Sequence, residues 1–225
     1  MKNILDAVKD ISRQIDGIDN IHEKIDILNR VRYILHISSP LKHHPVDFVM
    51  WRKSEMVEGN EYNPNNVAPP EQSLLEMSIT KDGYTMPIVG YIEGFEEMYL
   101  ELIKGLDVED DLKALIIDGF HRRKSERNNP EISKSTFGYI PLTNIRNEQK
   151  DTSNRMASTI RHNRARGTHS IDLMKNIVAE LVEAGMSDGW ITKHIGMDKD
   201  EILRLKQLTG LQKLFKDHEF SKSWE

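Results

Sequence analysis

The chain has 225 residues, 38% hydrophobic and 30% charged, with no cysteine and a net charge of −5. That is the size of one large domain or two small ones; without cysteine there is no disulfide framework, thiolate zinc site or cysteine nucleophile. No apolar run reaches the ~20 residues that span a bilayer and the start, MKNILDAVKDISRQ, is too charged for a secretion signal, so a cytoplasmic protein with no membrane contact is expected.

Over the first 36 residues the aliphatic side chains Ile4, Leu5, Val8, Ile11, Ile15 and then Ile21, Ile25, Leu28, Val31, Ile34 recur at helical spacing. Gly17 and Asn20 mark a break and Pro40 a stop, so residues 1–45 read as a helical hairpin suited to structural capping or to self-association. From Val46 the texture changes. The segments VDFVMW (46–51), MPIVGYI (86–92), ALIIDGF (114–120) and YIPLTNI (139–145) predict strands, and EQSLLEMSIT (71–80) and EGFEEMYLELIKGL (93–106) predict helices. Residues 57–70 and the polar stretch 124–136 are expected to be loops. The region 46–150 is therefore an α+β domain with a small mixed sheet.

Beyond 150 only helices are expected, over 151–163 and 171–184, the second closed by Gly185. A short helix from Ser187 with Ile191 and Ile195, a turn at Gly196-Met-Asp198, and a helix from Lys199 to Leu208 give a helix-turn-helix outline within an all-helical region 151–225. Its exposed cations, Lys193, Lys199 and Arg204, are the candidate DNA contacts, although Asp198, Asp200 and Glu201 oppose them.

Charge is unevenly spread along these regions. Residues 1–120 carry 12 Lys and Arg against 22 Asp and Glu; residues 121–170 carry 11 against 4, and eight of the 11 are arginine. Arginine's planar fork suits phosphate, so this basic island points to a polyanion. Two constellations lie in it. In Ile116-Ile-Asp-Gly-Phe-His-Arg-Arg123 a strand ends in Asp118-Gly119 beside His121, Arg122 and Arg123; glycine admits a phosphate, backbone N–H groups point at it, and the arginines bind it in forked pairs. In Ser158-Thr-Ile-Arg161-His162-Asn163-Arg164-Ala-Arg166-Gly-Thr-His169, Asn163 and Arg166 are three apart on one helix face. No carboxylate lies among these residues, so magnesium brought by a nucleoside triphosphate fits better than a built-in zinc.

Leu74-Leu75-x-x-Ser78-Ile79, Gly83-x-x-x-Pro87-Ile88, Ile117-Asp118-Gly119-x-x-Arg122-Arg123 and Ile140-Pro141 together resemble the N-terminal domain of the ParB/sulfiredoxin superfamily. Gly119-Phe-His-Arg-Arg123 stands where ParB proteins carry Gly-Glu-Arg-Arg, His162-Asn-Arg-Ala-Arg166 stands where they carry Glu-Asn-x-x-Arg, and a helix-turn-helix follows, as in ParB. The resemblance implies binding of a nucleoside triphosphate, CTP or ATP, with Mg2+. Gly119, His121, Arg122, Arg123, Arg161, Asn163 and Arg166 would hold the nucleotide, Asn163 would face the metal, and Arg164 would join the DNA contacts. The two box glutamates are replaced by Phe120-His121 and His162. The RHNRARG segment is similar to that of the IbrB group, described as co-activators of prophage gene expression.

The expected function is accordingly a nucleotide-gated DNA-binding or regulatory protein, with NTP hydrolysis possible and His162 or Asp118 as its acid–base candidates. Asp118 is as well placed to cap the helix that follows it. The alternative is phosphotransfer of the free serine kinase type, on a partial match of Asp118-Gly-Phe-His-Arg122. Nucleotide and DNA are the expected partners, a homodimer one possible assembly. Trp51 and Trp190 are expected in the core or half buried, His43-His44 in a loop, and Asn63-Pro-Asn-Asn66 near a bound base.

Overall fold

The computed structural model describes residues 2–59, 68–105, 112–146, 151–164 and 171–215. The chain divides into two compact units, the first running from the N-terminus through the sheet and the second holding the last four helices.

Two helices open the first unit, α1 (Lys2–Asp16) and α2 (Ile21–Ile37), with the break where the sequence predicts it. Asn20 builds that break: its side chain accepts from the N–H groups of His22 and Glu23 and caps α2. A single 3-10 turn at Pro45–Asp47 precedes β1 (Met50–Lys53), so the strand begins later than the apolar run 46–51 suggests. Asp47 is drawn into the turn by His36 Nδ1 at 2.6 Å and by the Ser39 hydroxyl at 3.0 Å.

There follow β2 (Val57–Glu58), α3 (Pro69–Asp82), β3 (Ile88–Ile92), α4 (Phe95–Ile103), β4 (Ala114–Asp118), α5 (Phe120–Asn128), α6 (Pro130–Ser135) and β5 (Tyr139–Asn144). The five strands form one mixed sheet in the order β1-β5-β3-β4-β2. β3 runs antiparallel to β4 and parallel to β5, β1 is antiparallel to β5, and β2 is parallel to β4. The three middle strands are buried almost throughout, which is why IVGYI, ALIID and YIPLTN read as continuous apolar runs without alternation. The fold class is α+β, as expected.

The stretch 124–136 is a correction to the sequence reading. It is not a polar loop but most of α5 and α6. Asn129 accepts from the N–H groups of Glu131 and Ile132 and Pro130 occupies the first turn, a helix start legible in Asn-Pro-Glu. Ser125, Glu126 and Ile132 are buried, so the segment is packed despite its polarity.

On one face of the sheet, Tyr33 of α2 packs with Phe48, Phe95 and Tyr99 at ring separations of 4.6 to 5.9 Å, over Met50, Ile92, Ile140 and Leu142. The second helix of the hairpin thus shares the core of the α+β unit. Asn29 of α2 also closes the outer edge of β1: its Nδ2 donates to Trp51 O at 2.7 Å and its Oδ1 accepts from Trp51 N at 3.0 Å, as a neighbouring strand would.

In the second unit α7 (Thr152–Arg164), α8 (Ile171–Glu183), α9 (Asp188–Ile195) and α10 (Lys199–Phe215) enclose Met156, Ala157, Ile160, Met174, Ile177, Val178, Leu181, Ile191, Ile195, Met197, Ile202 and Leu205. Ser187 caps α9, Gly196 leaves it at φ +77°, and Asp198 accepts from the N–H of Glu201 at 2.7 Å to start α10. The expected helix-turn-helix is present. Among the described residues no helix is long and apolar enough to cross a membrane.

Asn29→Ala leaves both polar atoms of the Trp51 peptide without their partner and is expected to cost about 1–3 kcal/mol, read as a lower urea midpoint by circular dichroism; Ile34→Ala, on an exposed position of the same helix, is expected to change it by less than about 0.5 kcal/mol.

Candidate functional site

The site begins where β4 turns into α5. Gly119 takes φ +97°, a left-handed conformation that a side chain rarely adopts, and α5 starts with no side-chain cap. The first intrahelical bond is Arg123 N to Gly119 O at 3.1 Å, so the N–H groups ahead of Arg123 have no helical acceptor. A bare helix N-terminus of this kind carries partial positive charge and suits an anion.

The side chains around the turn divide into two sets. Arg122 folds back over the glycine. Its Nη2 donates to Asp118 Oδ2 at 3.0 Å and to the carbonyl of Pro87 at 3.1 Å, and the Tyr84 hydroxyl donates to the Arg122 carbonyl at 2.9 Å. Asp118 and Arg122 are both largely buried, with side-chain exposures of 7% and 14%. A Cβ on residue 119 would sit 2.7 Å from Arg122 Nη2. Burial, with the nearby Glu126 carboxylate, raises the Tyr84 phenol well above its usual range and keeps it a neutral donor.

Arg123 is the second set. Among the described residues its guanidinium makes no hydrogen bond or ion pair, and its Nε is buried without an acceptor. Burial, and then the neighbouring Arg127, lowers its pKa from the ordinary arginine value, while the Glu126 and Glu58 carboxylates oppose that shift. His121 points to α3: its Nδ1 meets Gln72 Oε1 at 3.1 Å, while Gln72 Nε2 donates to the buried Ser125 hydroxyl at 2.9 Å. Gln72, Ser125, Tyr84 and Pro87 were not legible as site residues, because none carries charge and Ser125 sits in a stretch whose polarity suggested a loop.

The second constellation lies on α7 and beyond it. Arg161 Nη1 donates to His194 O at 2.9 Å, near the C-terminus of α9, where a cation is favoured. Burial lowers the pKa of Arg161; partial burial, then Lys193 and Arg161, lowers that of His194, which stacks on Trp190 at 4.5 Å. His162, Asn163 and Arg164 belong to the helical backbone of α7, but their side chains lie outside the described residues, as do Arg166, His169 and the Asn63-Pro-Asn-Asn66 segment altogether. Lys193, Lys199 and Arg204 are exposed on α9 and α10.

Among the described residues no three His, Asp or Glu side chains come together to hold a metal ion. The rings of His43 and His44 lie 4.1 Å apart, tilted by 45°, in a turn. Two clefts of about 340 and 440 Å³ open elsewhere in the first unit, lined in common by His22, Lys53, Glu55 and Tyr139; neither is lined by Asp118, Gly119, Arg122 or Arg123.

Comparison with known proteins places the helical end of the chain in a described family: residues 169–217 match the family model "IbrB-like C-terminal HTH domain". Along most of its length the chain is similar to a protein of Escherichia coli (strain K12) described as "Uncharacterized protein YbdM", 42% identical over 203 residues that make up 90% of this chain and 88% of that one. Among solved structures it matches the crystal structure of the C-terminally truncated chromosome-partitioning protein ParB from Caulobacter crescentus complexed with CTP-gamma-S, at 13% identity and a TM-score of 0.37, over 74% of this chain and 83% of that one.

Breaking the Asp118–Arg122 pair from either side leaves a buried charge. Asp118→Asn and Arg122→Met are each expected to cost about 3 kcal/mol or more in urea denaturation, and the double variant markedly less than the sum of the two.

Proposed function

The chain belongs to the family of Escherichia coli YbdM and carries the IbrB-like helix-turn-helix, and on that premise we propose that it is a DNA-binding regulator gated by a nucleoside triphosphate. One observation carries the nucleotide part: an uncapped helix N-terminus behind a left-handed glycine, followed in the first turn by a half-buried arginine whose Nε has no acceptor among the described residues. Unsatisfied N–H groups at the start of a helix together with an arginine in its first turn are the kind of donor set a phosphate takes.

The residues have separate tasks in this reading. Arg122, held by Asp118 and Pro87, fixes the shape of the turn; Arg123 supplies the mobile charge that meets the phosphate. Asn163 and Arg166, expected from the ParB resemblance to face the metal and a further phosphate, complete the proposal. Bound Mg2+ would neutralise part of the triphosphate charge. Because the described residues form no metal cage, the ion would arrive with the nucleotide and need few protein ligands. The helix-turn-helix would take DNA through Lys193, Lys199 and Arg204, with the acidic start of α10 limiting non-specific affinity. The phosphotransfer alternative needs a free base near the γ-phosphate, and the ion pair of Asp118 with Arg122 favours an orienting role for that carboxylate instead.

In a thermal-shift series with ATP, CTP, GTP and MgCl2, at least one triphosphate is expected to raise the melting temperature, corresponding to about 2.7 kcal/mol at 100 times Kd. Arg123→Ala is expected to fold and to abolish the shift, and no shift with any nucleotide would remove the gating half of the proposal. Fluorescence anisotropy with duplex DNA is expected to show affinity falling steeply with salt, the logarithmic slope losing about one unit in Lys199→Ala or Arg204→Ala. A flat salt dependence would remove the DNA half.

A further inference from the structure

The two clefts of the first unit share His22, Lys53, Glu55 and Tyr139 and so adjoin. The larger, of about 440 Å³, lies among the N-terminus of α2, the end of β1, the last turn of α5 and the turn that enters β5. Glu126 on its wall is only 3% exposed and makes no hydrogen bond or ion pair among the described residues; its carboxylate reaches Tyr84 and Arg123 through longer-range fields alone. The Ser54 hydroxyl on the same wall is buried with no partner, although the Ser54 N–H is held by Gly138 O at 2.9 Å. Phe137, also on the wall, is 55% exposed and takes φ +55°, alone among the described non-glycine residues in the left-handed region. Buried polar groups are almost always paired and a bulky residue at positive φ is strained, so the fold by itself does not offset these three costs.

The chemistry of the wall says what would offset them. A carboxylate only accepts and a hydroxyl can accept, so the buried groups call for a donor that carries positive charge. Glu126 lies in the last turn of α5, where the helix dipole also favours a cation. Burial, then Asp26 and Glu55, raises the Tyr139 phenol, which stays protonated beside His22 Nδ1 at 2.9 Å. The exposed part of the wall carries the opposite sign: Lys53 and Arg127 lie there, and neither forms an ion pair among the described residues. A simple amine would be repelled by these two cations and a simple acid by Glu55 and Glu126, so the wall matches a ligand that carries both charges. Beyond the shared residues the second cleft, of about 340 Å³, is walled by Ile25, Met50, Met56, Tyr99 and Leu102, a surface for an apolar group. Of its own charged members Glu23 is exposed, while Asp26 pairs with Arg30 at 2.7 Å and Arg52 donates to the Leu112 carbonyl.

We propose that the adjoining clefts bind a free α-amino acid with an apolar side chain. Its ammonium group meets Glu126 and Ser54, its carboxylate meets Lys53 and Arg127, and its side chain lies toward Met50, Tyr99 and Leu102. Clefts of this volume are ordinary for small-molecule sites. Glu126 is about two helical turns along α5 from Gly119, and the site stands independently of nucleotide or DNA binding.

In thermal-shift assays of the full chain with about 5 mM L-leucine, L-methionine or L-phenylalanine, at least one is expected to raise the melting temperature, since a ligand that binds only the native state stabilises it. By calorimetry the methyl ester of that amino acid, which lacks the carboxylate, and its N-acetyl form, which lacks the ammonium group, are each expected to bind about 10-fold or more weakly. Glu126→Gln keeps the shape of the side chain and is expected to melt no lower than the parent without ligand, yet to lose about 30-fold or more in affinity. Arg127→Ala, at an exposed position, is expected to fold as the parent does and to lose about five-fold. No shift with any of the three amino acids, an N-acetyl form that binds as well as the free amino acid, or unchanged affinity in Glu126→Gln would each overturn the proposal. An ester that binds as well would overturn it in favour of a simple cation, and a lower melting temperature of ligand-free Glu126→Gln would do so by giving the carboxylate a structural task.

Discussion

The turn from β4 into α5 depends on one buried ion pair. Asp118 ends the strand and Arg122 lies one helical turn further on, so their meeting at 3.0 Å fixes the angle at which α5 leaves the sheet. The same guanidinium reaches the Pro87 carbonyl and so ties the residue ahead of β3 to the strand beside it. Neither charge is sustainable at that depth without the other. Gly119 is required twice over, by its positive φ and by the guanidinium lying where a Cβ would be. Arg122 is committed to the scaffold, whereas Arg123 makes no hydrogen bond or ion pair among the described residues.

Much of this was legible in the sequence, and the parts that were not have physical reasons. The hairpin break at Gly17–Asn20, the middle strands and the helix-turn-helix each rest on a local signal: a cap, a continuous apolar run, a glycine between two amphipathic segments. Residues 124–136 misled because hydrophobic periodicity is nearly absent from KSERNNPEISKST. Its helices are held instead by the Asn129 cap and by Ser125 and Gln72, a polar network whose members lie 53 residues apart in the chain. The late start of β1 likewise follows from a side chain, Asp47, hydrogen-bonded to His36 and Ser39 on the preceding segment. Within the site, composition identified the arginine pair as a unit. Only the geometry divides it, giving one arginine a hydrogen-bonded carboxylate four positions back and the next only the longer-range fields of Glu126 and Glu58.

The second unit illustrates a different constraint. Among the described residues its core is mainly aliphatic and methionine-rich, closed by Ile191, Ile195, Met197, Ile202 and Leu205 around a glycine turn, so the helix-turn-helix geometry is fixed by packing. Charge is then free to vary on the surface. α10 opens with Asp200 and Glu201 among its cations, and Lys206 is drawn to Asp188 of α9 in an ion pair. Arg161, on α7, is held by a carbonyl of α9, so the basic island contributes to the scaffold of this unit as well as to its surface.

The amide of Asn29 has a consequence for how this protein can meet others. By occupying the backbone hydrogen-bonding groups of Trp51, it denies β1 as a template for an incoming strand, and the opposite margin of the sheet, β2, is only two residues long. Among the described residues neither flank offers a long row of free N–H and C=O groups on which a foreign peptide could extend the sheet. Association through β-augmentation, and the fibrous aggregation that shares its chemistry, is disfavoured by the fold itself.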